Sequence, residues 1–203
     1  MHILGVVYHA QNIINDDDLA IKLKPLVNNS SSLEHEYCIL KQLEGGAGIP
    51  HVEWFGREAT FDALVLDLLG PSLHDLFLVQ NRKFTLHTIL NIGDQLLLSL
   101  EHIHSHNYIH GNIKPQNTLV GRGDLQQTVF IVDFGIAKEY WNTAAQAHMP
   151  FHHGVTVTVA PYHFLSHLPL YYVMTAPNRA ITRLFLSFTY LCITVRPPRA
   201  IVS

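Results

Sequence analysis

The sequence predicts an α+β fold in two parts, a short antiparallel sheet carrying one helix and then a mainly helical region. Three observations lead there. Short alternating runs, suited to strands, recur in the chain up to Leu69. From Thr85 to His104 apolar residues repeat at helical spacing. The charge then stops: all sixteen carboxylates lie at or before Glu139 and all six lysines at or before Lys138. Residues 140–203 hold four arginines and no acid, which puts a boundary near residue 140. A chain of 203 residues can bury one sizeable core or form two small lobes.

The elements follow in order. Gly5-Val6-Val7-Tyr8-His9-Ala10 and Leu19-Ala20-Ile21-Lys22-Leu23 flank Asp16-Asp17-Asp18, the pattern of a hairpin with an acidic turn. Ser30-Ser31-Ser32 precedes Leu33-Glu34-His35-Glu36. Ile39, Leu40 and Leu43 continue at helical spacing until Gly45-Gly46 stops the helix. Val52 to Phe55 and Ala63 to Leu69 read as two further strands. The helix from Thr85 to His104 places positions 86, 89, 90, 96, 97, 100 and 103 on a broad face for burial. Many α+β folds share such a pattern.

Composition excludes several classes. A formal charge of −3 offers no basic field for nucleic acid or a membrane surface. Two cysteines, Cys38 and Cys192, make no disulfide framework, and a reducing compartment is the simpler reading. The amino terminus lacks a cationic start with a long apolar run, and the apolar stretch Leu184 to Val195 is too short to span a bilayer. The expectation is a cytoplasmic or nuclear protein with no nucleic-acid or membrane partner. Fifteen histidines invite a metal site, yet His102, His104 and His106 are spaced by two, so a helix points them apart. They are expected to be structural. Asp16-Asp17-Asp18 lacks the alternating ligands and closing glutamate of a Ca²⁺ loop.

The chemistry lies in two blocks. His110-Gly111-Asn112-Ile113-Lys114-Pro115-Gln116-Asn117 and Ile131-Val132-Asp133-Phe134-Gly135 resemble the catalytic loop and the Asp-Phe-Gly segment of protein kinases. Asp133 stands sixteen residues beyond Asn117. Ala20-Ile21-Lys22 looks like the strand whose lysine holds the α- and β-phosphates, and Glu36 falls where that family places the lysine's ion-pair partner. Within the kinases, five strings are similar to the casein kinase I family. They are Gly45-Gly46-Ala47-Gly48-Ile49-Pro50, Leu68-Leu69-Gly70-Pro71-Ser72-Leu73, Tyr108-Ile109-His110, Phe134-Gly135-Ile136-Ala137-Lys138-Glu139-Tyr140 and His148-Met149-Pro150-Phe151.

The resemblance implies a two-lobed kinase fold: a small lobe to the hinge over residues 1–69, a partial large lobe over 70–151, and a divergent tail over 152–203. It implies ATP and Mg²⁺ as cofactors, both weakly held, and a protein substrate or a kinase-like partner. Lys22 and Glu36 would position phosphates, Lys114 would steady the transferred group, and Asn117 and Asp133 would hold metal. Leu66 would back the adenine pocket, Asp67 to Leu69 would form the hinge, and Val7, Ala20 and Leu119 would sandwich the ring. Gly5 matches the last glycine of G-x-G-x-x-G, and the strand bearing the other two does not precede it.

Other departures bear on activity. Asn112 stands where the family has its catalytic aspartate, and an amide is no base near neutral pH. General-base assistance is worth about 10²–10⁴-fold, so its loss predicts weak or absent transfer. Gly111 replaces the arginine that ties the loop to the activation segment. After Glu139 no acid remains to anchor the catalytic loop on a large-lobe helix. The readings left open are an impaired serine/threonine kinase, a non-catalytic pseudokinase module, and a fragment from a mis-predicted gene. Val155-Thr156-Val157-Thr158-Val159 could be a strand or an aggregation-prone run, and the residues after about 152 could come from a shifted frame or unspliced sequence.

Overall fold

The computed structural model describes residues 6–26, 32–58, 60–142 and 146–148. Gly5, the expected string at 149–151 and the whole tail from 152 lie outside them. β1 (Val6–Gln11) and β2 (Asp18–Pro25) form the expected hairpin, running from Val6 opposite Leu23 to Gln11 opposite Asp18. Polar side chains shape its turn: Asn12 Oδ1 accepts the Ile14 N–H at 3.0 Å, and Asp16 adopts a φ of 62° that aspartate tolerates well. β3 (Val52–Arg57) pairs with β4 (Phe61–Asp67), and β4 with β2, giving a four-stranded antiparallel sheet in the order β1-β2-β4-β3. β4 ends at Asp67, so Leu68 and Leu69, expected inside the strand, fall in the link that follows.

α1 (Ser32–Gln42) lies between β2 and β3 in sequence, and its apolar face is buried through Leu33, Ile39 and Leu40, with Leu43 just beyond. Each such side chain contributes about 1.5–3 kcal/mol when fully buried. The glycine run after α1 does more than stop it. Gly48 has a φ of +68°, and a Cβ there would stand 2.6 Å from the Val129 carbonyl. Its own carbonyl accepts the Ile131 N–H at 2.8 Å, so only glycine allows the two backbones to meet.

The second part opens with α2 (Leu73–Val79), a helix too short to show a period. The sequence signal for it is a capping box: Ser72 Oγ accepts the Asp75 N–H at 3.1 Å, and the Asp75 carboxylate accepts the Ser72 N–H at 3.3 Å. Ser72→Ala should therefore destabilise the fold by about 1 kcal/mol in urea denaturation, and an unchanged midpoint would remove the cap from the account.

α3 (Leu86–Ser105) matches the expected helix and is capped by Thr85 Oγ1 on the Thr88 N–H at 3.1 Å. Its buried strip is Ile89, Ile92, Leu96, Leu100 and Ile103. Leu86 and Leu90, expected to be buried, are exposed. Leu90 follows Ile89 by about 100° around the axis and so leaves the strip, while Leu86 sits in the exposed first turn.

Short ladders complete the second part. β5 (Tyr108–Ile109) pairs with β8 (Lys138–Glu139), β6 (Thr118–Val120) with β7 (Val129–Ile131), and β9 (Trp141–Asn142) with β10 (Ala147–His148). One apolar core joins the two parts, running from Leu33 and Leu40 through Ile103 and Ile131 to Phe134 and Ala137. Two histidines of α3 serve structure. His102 Nε2 bonds the Leu43 carbonyl at 2.9 Å, and His104 is buried against Tyr140. Among the described residues no group of three or more potential ligands is placed to hold a metal, and no helix is long and apolar enough to cross a membrane.

Candidate functional site

Strand register decides which side chains share a face. Val7 lies opposite Lys22 and Lys22 opposite Leu64, while Ala20 lies opposite Leu66. Ala20 and Lys22 are two residues apart, so Val7, Ala20, Lys22 and Leu66 project from one side of the sheet. Lys22 identifies that side: its Nζ crosses to Asp133 Oδ1, beyond β7, at 3.0 Å. Leu119 belongs to the second part, in β6, where it bridges to Ser72. The link between the parts is pinned at both ends. Asp67 Oδ2 accepts the His51 N–H at 3.0 Å, and Gly70 donates its N–H to the Val120 carbonyl at 2.8 Å.

Lys22 is the hub. Its ammonium also donates to both oxygens of Glu36, at 3.1 and 2.8 Å, with Lys22 16 % and Glu36 2 % exposed. The two pKa values respond differently to this burial. Desolvation pulls Lys22 down, but the Glu36 and Asp133 carboxylates outweigh it and hold the ammonium above its ordinary range. Desolvation also pushes Glu36 up, and Lys22 offsets that only in part. For the glutamate, burial governs, since almost none of its side chain reaches water. Asp133 is pushed up by burial too, but the attraction of Lys22 wins and its carboxyl lies below the usual range.

Asp133 owes its direction to the residue after it. Phe134 is fully buried in the joining core, and its ring meets His110 edge-on at 4.6 Å. Driving Phe134 inward turns Asp133 outward toward Lys22, at a φ of 71°. Such left-handed backbone away from glycine is uncommon and is held only by surrounding packing.

The catalytic-loop stretch closes over the same carboxylate. Asn112 Nδ2 donates to Asp133 Oδ2 at 3.0 Å, and Asn117 Nδ2 reaches the same oxygen at 3.3 Å. Asn117 Nδ2 also donates to the Asn112 carbonyl at 3.0 Å. An ionised carboxylate accepts and cannot donate, so the nitrogen ends of both amides must face it. The loop backbone bends at Gly111, whose φ of +76° glycine adopts without strain. Lys114 begins the 3-10 turn Pro115–Asn117, its carbonyl accepting the Asn117 N–H at 2.9 Å, and its charge contributes a positive field at Asp133.

A sequence model for the protein kinase domain matches residues 3–161. The chain belongs to the protein kinase domain family.

In a kinase domain the four-stranded sheet with α1 is the small lobe and the rest is a large lobe of few helices. Kinase domains in general use ATP with Mg²⁺, and the two cofactors fit this chain unequally. The nucleotide fits: an apolar row of Val7, Ala20 and Leu66 stands beside the Lys22 ammonium on one face of the small lobe. The cation does not fit the site as arranged. Magnesium demands oxygen ligands, whereas both oxygens of Asp133 already accept N–H bonds from Lys22, Asn112 and Asn117.

The structure thus brings together Lys22, Glu36, Asn112, Asn117 and Asp133 through direct bonds, with Lys114 close enough to act by charge. Val7, Ala20 and Leu66 share the Lys22 face, whereas Asp67 and Leu69 lie at the link. Two supporting residues carry no role in the sequence reading. His110 is fully buried, its Nε2 bonds the Val132 carbonyl at 3.1 Å, and its Nδ1 accepts the Asn112 N–H at 3.2 Å. That pair of bonds selects the Nε2–H tautomer. His35 Nε2 bonds the Ala137 carbonyl at 2.8 Å and ties α1 to the segment after Phe134. His110 stood first in a recognisable block and could have been found, but His35 left no signal in the sequence.

Proposed function

We propose that this chain is a casein kinase I-like serine/threonine kinase domain that binds ATP and transfers phosphate to protein weakly or not at all. The observation that carries this reading is the state of residue 112. A general base must hold a lone pair within reach of the substrate hydroxyl. Asn112 has an amide in place of a carboxylate, and its nitrogen is turned to Asp133. The surviving Lys22–Glu36 pair supports nucleotide binding, because it holds an ammonium beside an apolar face. Lys114, Asn117 and Asp133 complete the cradle from the large lobe.

The same donor role of Asn112 favours a second reading, a non-catalytic module that occupies the surface of a kinase partner. Both readings expect ATP to raise the unfolding midpoint, since a ligand of the native state must stabilise it. The first expects slow label on casein from radiolabelled ATP, and the second expects none with a specific partner recovered in pull-down. No midpoint shift at millimolar nucleotide would remove the nucleotide claim. Labelling as fast as that of an intact casein kinase would remove the impairment.

A further inference from the structure

We propose that the site takes its adenine nucleotide without a divalent cation, because the Asn112 amide occupies the edge of Asp133 that a cation would use. The inference rests on the nucleotide-binding reading above and adds the form in which the ligand binds.

Charge makes the first case. Three ionised groups meet directly: the Lys22 ammonium and the Glu36 and Asp133 carboxylates. Asn112 adds no charge and one N–H donor. An aspartate at position 112 would set a second carboxylate against Asp133 Oδ2, which raises the pKa of one of the two strongly unless a cation lies between them. Asparagine removes that requirement. Its N–H bond to an ionised acceptor is of the strong, charge-assisted kind, and a cation would have to displace it.

Preorganisation makes the second case. The Asn112 amide does not swing freely into this position. Its backbone N–H is held by His110 Nδ1 at 3.2 Å and its carbonyl by Asn117 Nδ2 at 3.0 Å. His110 is itself locked by the Val132 carbonyl and the Phe134 ring. With both backbone groups of residue 112 tied, the side chain is aimed at Asp133 before any ligand arrives, so little ordering remains to oppose the bond. Asn117, the other expected metal ligand, has its amide nitrogen held by Asp133 and by the loop carbonyl and so offers a cation only its Oδ1. Phosphate charge is then met by the ammonium groups of Lys22 and Lys114.

The test uses the full chain, a fluorescent ATP analogue, and thermal unfolding in EDTA or in millimolar MgCl₂. Wild-type protein should bind the analogue in EDTA within about threefold of its affinity in Mg²⁺, and MgCl₂ alone should leave the midpoint within about 1 °C. Asn112→Asp should melt lower in EDTA and recover with Mg²⁺, and its binding should become Mg²⁺-dependent by more than about tenfold. Asn112→Ala, which frees the carboxylate without adding charge, should also gain a response to Mg²⁺, and it serves if the aspartate variant fails to fold. Wild-type binding that appears only with Mg²⁺, or a wild-type midpoint raised by MgCl₂ alone, overturns this inference and leaves nucleotide binding standing. Absence of analogue binding in both buffers overturns the nucleotide-binding reading and this inference with it.

Discussion

Lys22→Met should cost about 3–5 kcal/mol of folding stability near neutral pH, read from urea denaturation, because it leaves a buried charge without its partner. Glu36 is 2 % exposed and would lose the ammonium that donates to both its oxygens. Asp133 loses the same partner, but its side chain is 37 % exposed and water can replace much of the bond. The loss should depend on pH with a definite sign. Burial already raises the Glu36 pKa above its ordinary 4.5, so the fold favours the protonated form. The stability this contributes is complete below the ordinary value and disappears as pH rises through the folded one. Removing Lys22 pushes the folded pKa higher still. The gap between variant and wild type should therefore be widest near neutrality and close toward acid. Adding Glu36→Leu to Lys22→Met removes both charges and should recover most of the loss. Equal stability of Lys22→Met and wild type at neutral pH would show that the pair contributes nothing.

His104 should by itself remove about 3 kcal/mol of stability as pH falls from neutrality to below its folded pKa. Burial alone depresses that pKa from 6.5 to about 4. The ring is 3 % exposed, and among the described residues neither of its nitrogens has a hydrogen-bond partner. A depressed pKa in a base means that the fold holds the neutral form. Its contribution is therefore complete above 6.5 and is lost as pH falls through that value toward about 4. His104→Phe should flatten this acid limb and keep the edge-on contact with Tyr140. It should also raise stability at neutral pH, since two buried unsatisfied atoms disappear. Denaturation midpoints at neutral and acid pH for both proteins decide the matter. An acid limb of equal depth in the two proteins would clear His104 of the effect.

Much of this was readable from residue order. Val7, Ala20 and Lys22 announce a hairpin through alternation, and the four strands of the small sheet and both long helices stand within two residues of where the patterns put them. Gly45-Gly46 marked the end of α1 correctly. The failures have local causes. α2 is too short for a helical period, so only its Ser72–Asp75 box betrays it. β5 to β8 are strands of two or three residues, and such short runs carry no alternation to detect. Leu86 and Leu90 fit the apolar pattern yet are exposed, because hydrophobicity reports only what a residue tolerates.

The candidate site divides along the same line. The resemblance to kinase motifs names Lys22, Glu36, Asn117 and Asp133 as candidates, and side-chain chemistry says that residue 112 is no base. Nothing in the residue order said where the Asn112 amide would point. Its bond to Asp133 spans twenty-one positions, and the Lys22–Asp133 bond spans 111. Contacts across such separations exist only after Phe134 is buried, Asp133 is turned at a left-handed backbone angle, and His110 has locked the loop. The sequence alone determined which functional groups are present and roughly which elements carry them, because both follow from side-chain chemistry and short-range periodicity. Tertiary structure alone decided that an amide, aimed by packing, caps the carboxylate, because direction is a property of the assembled core.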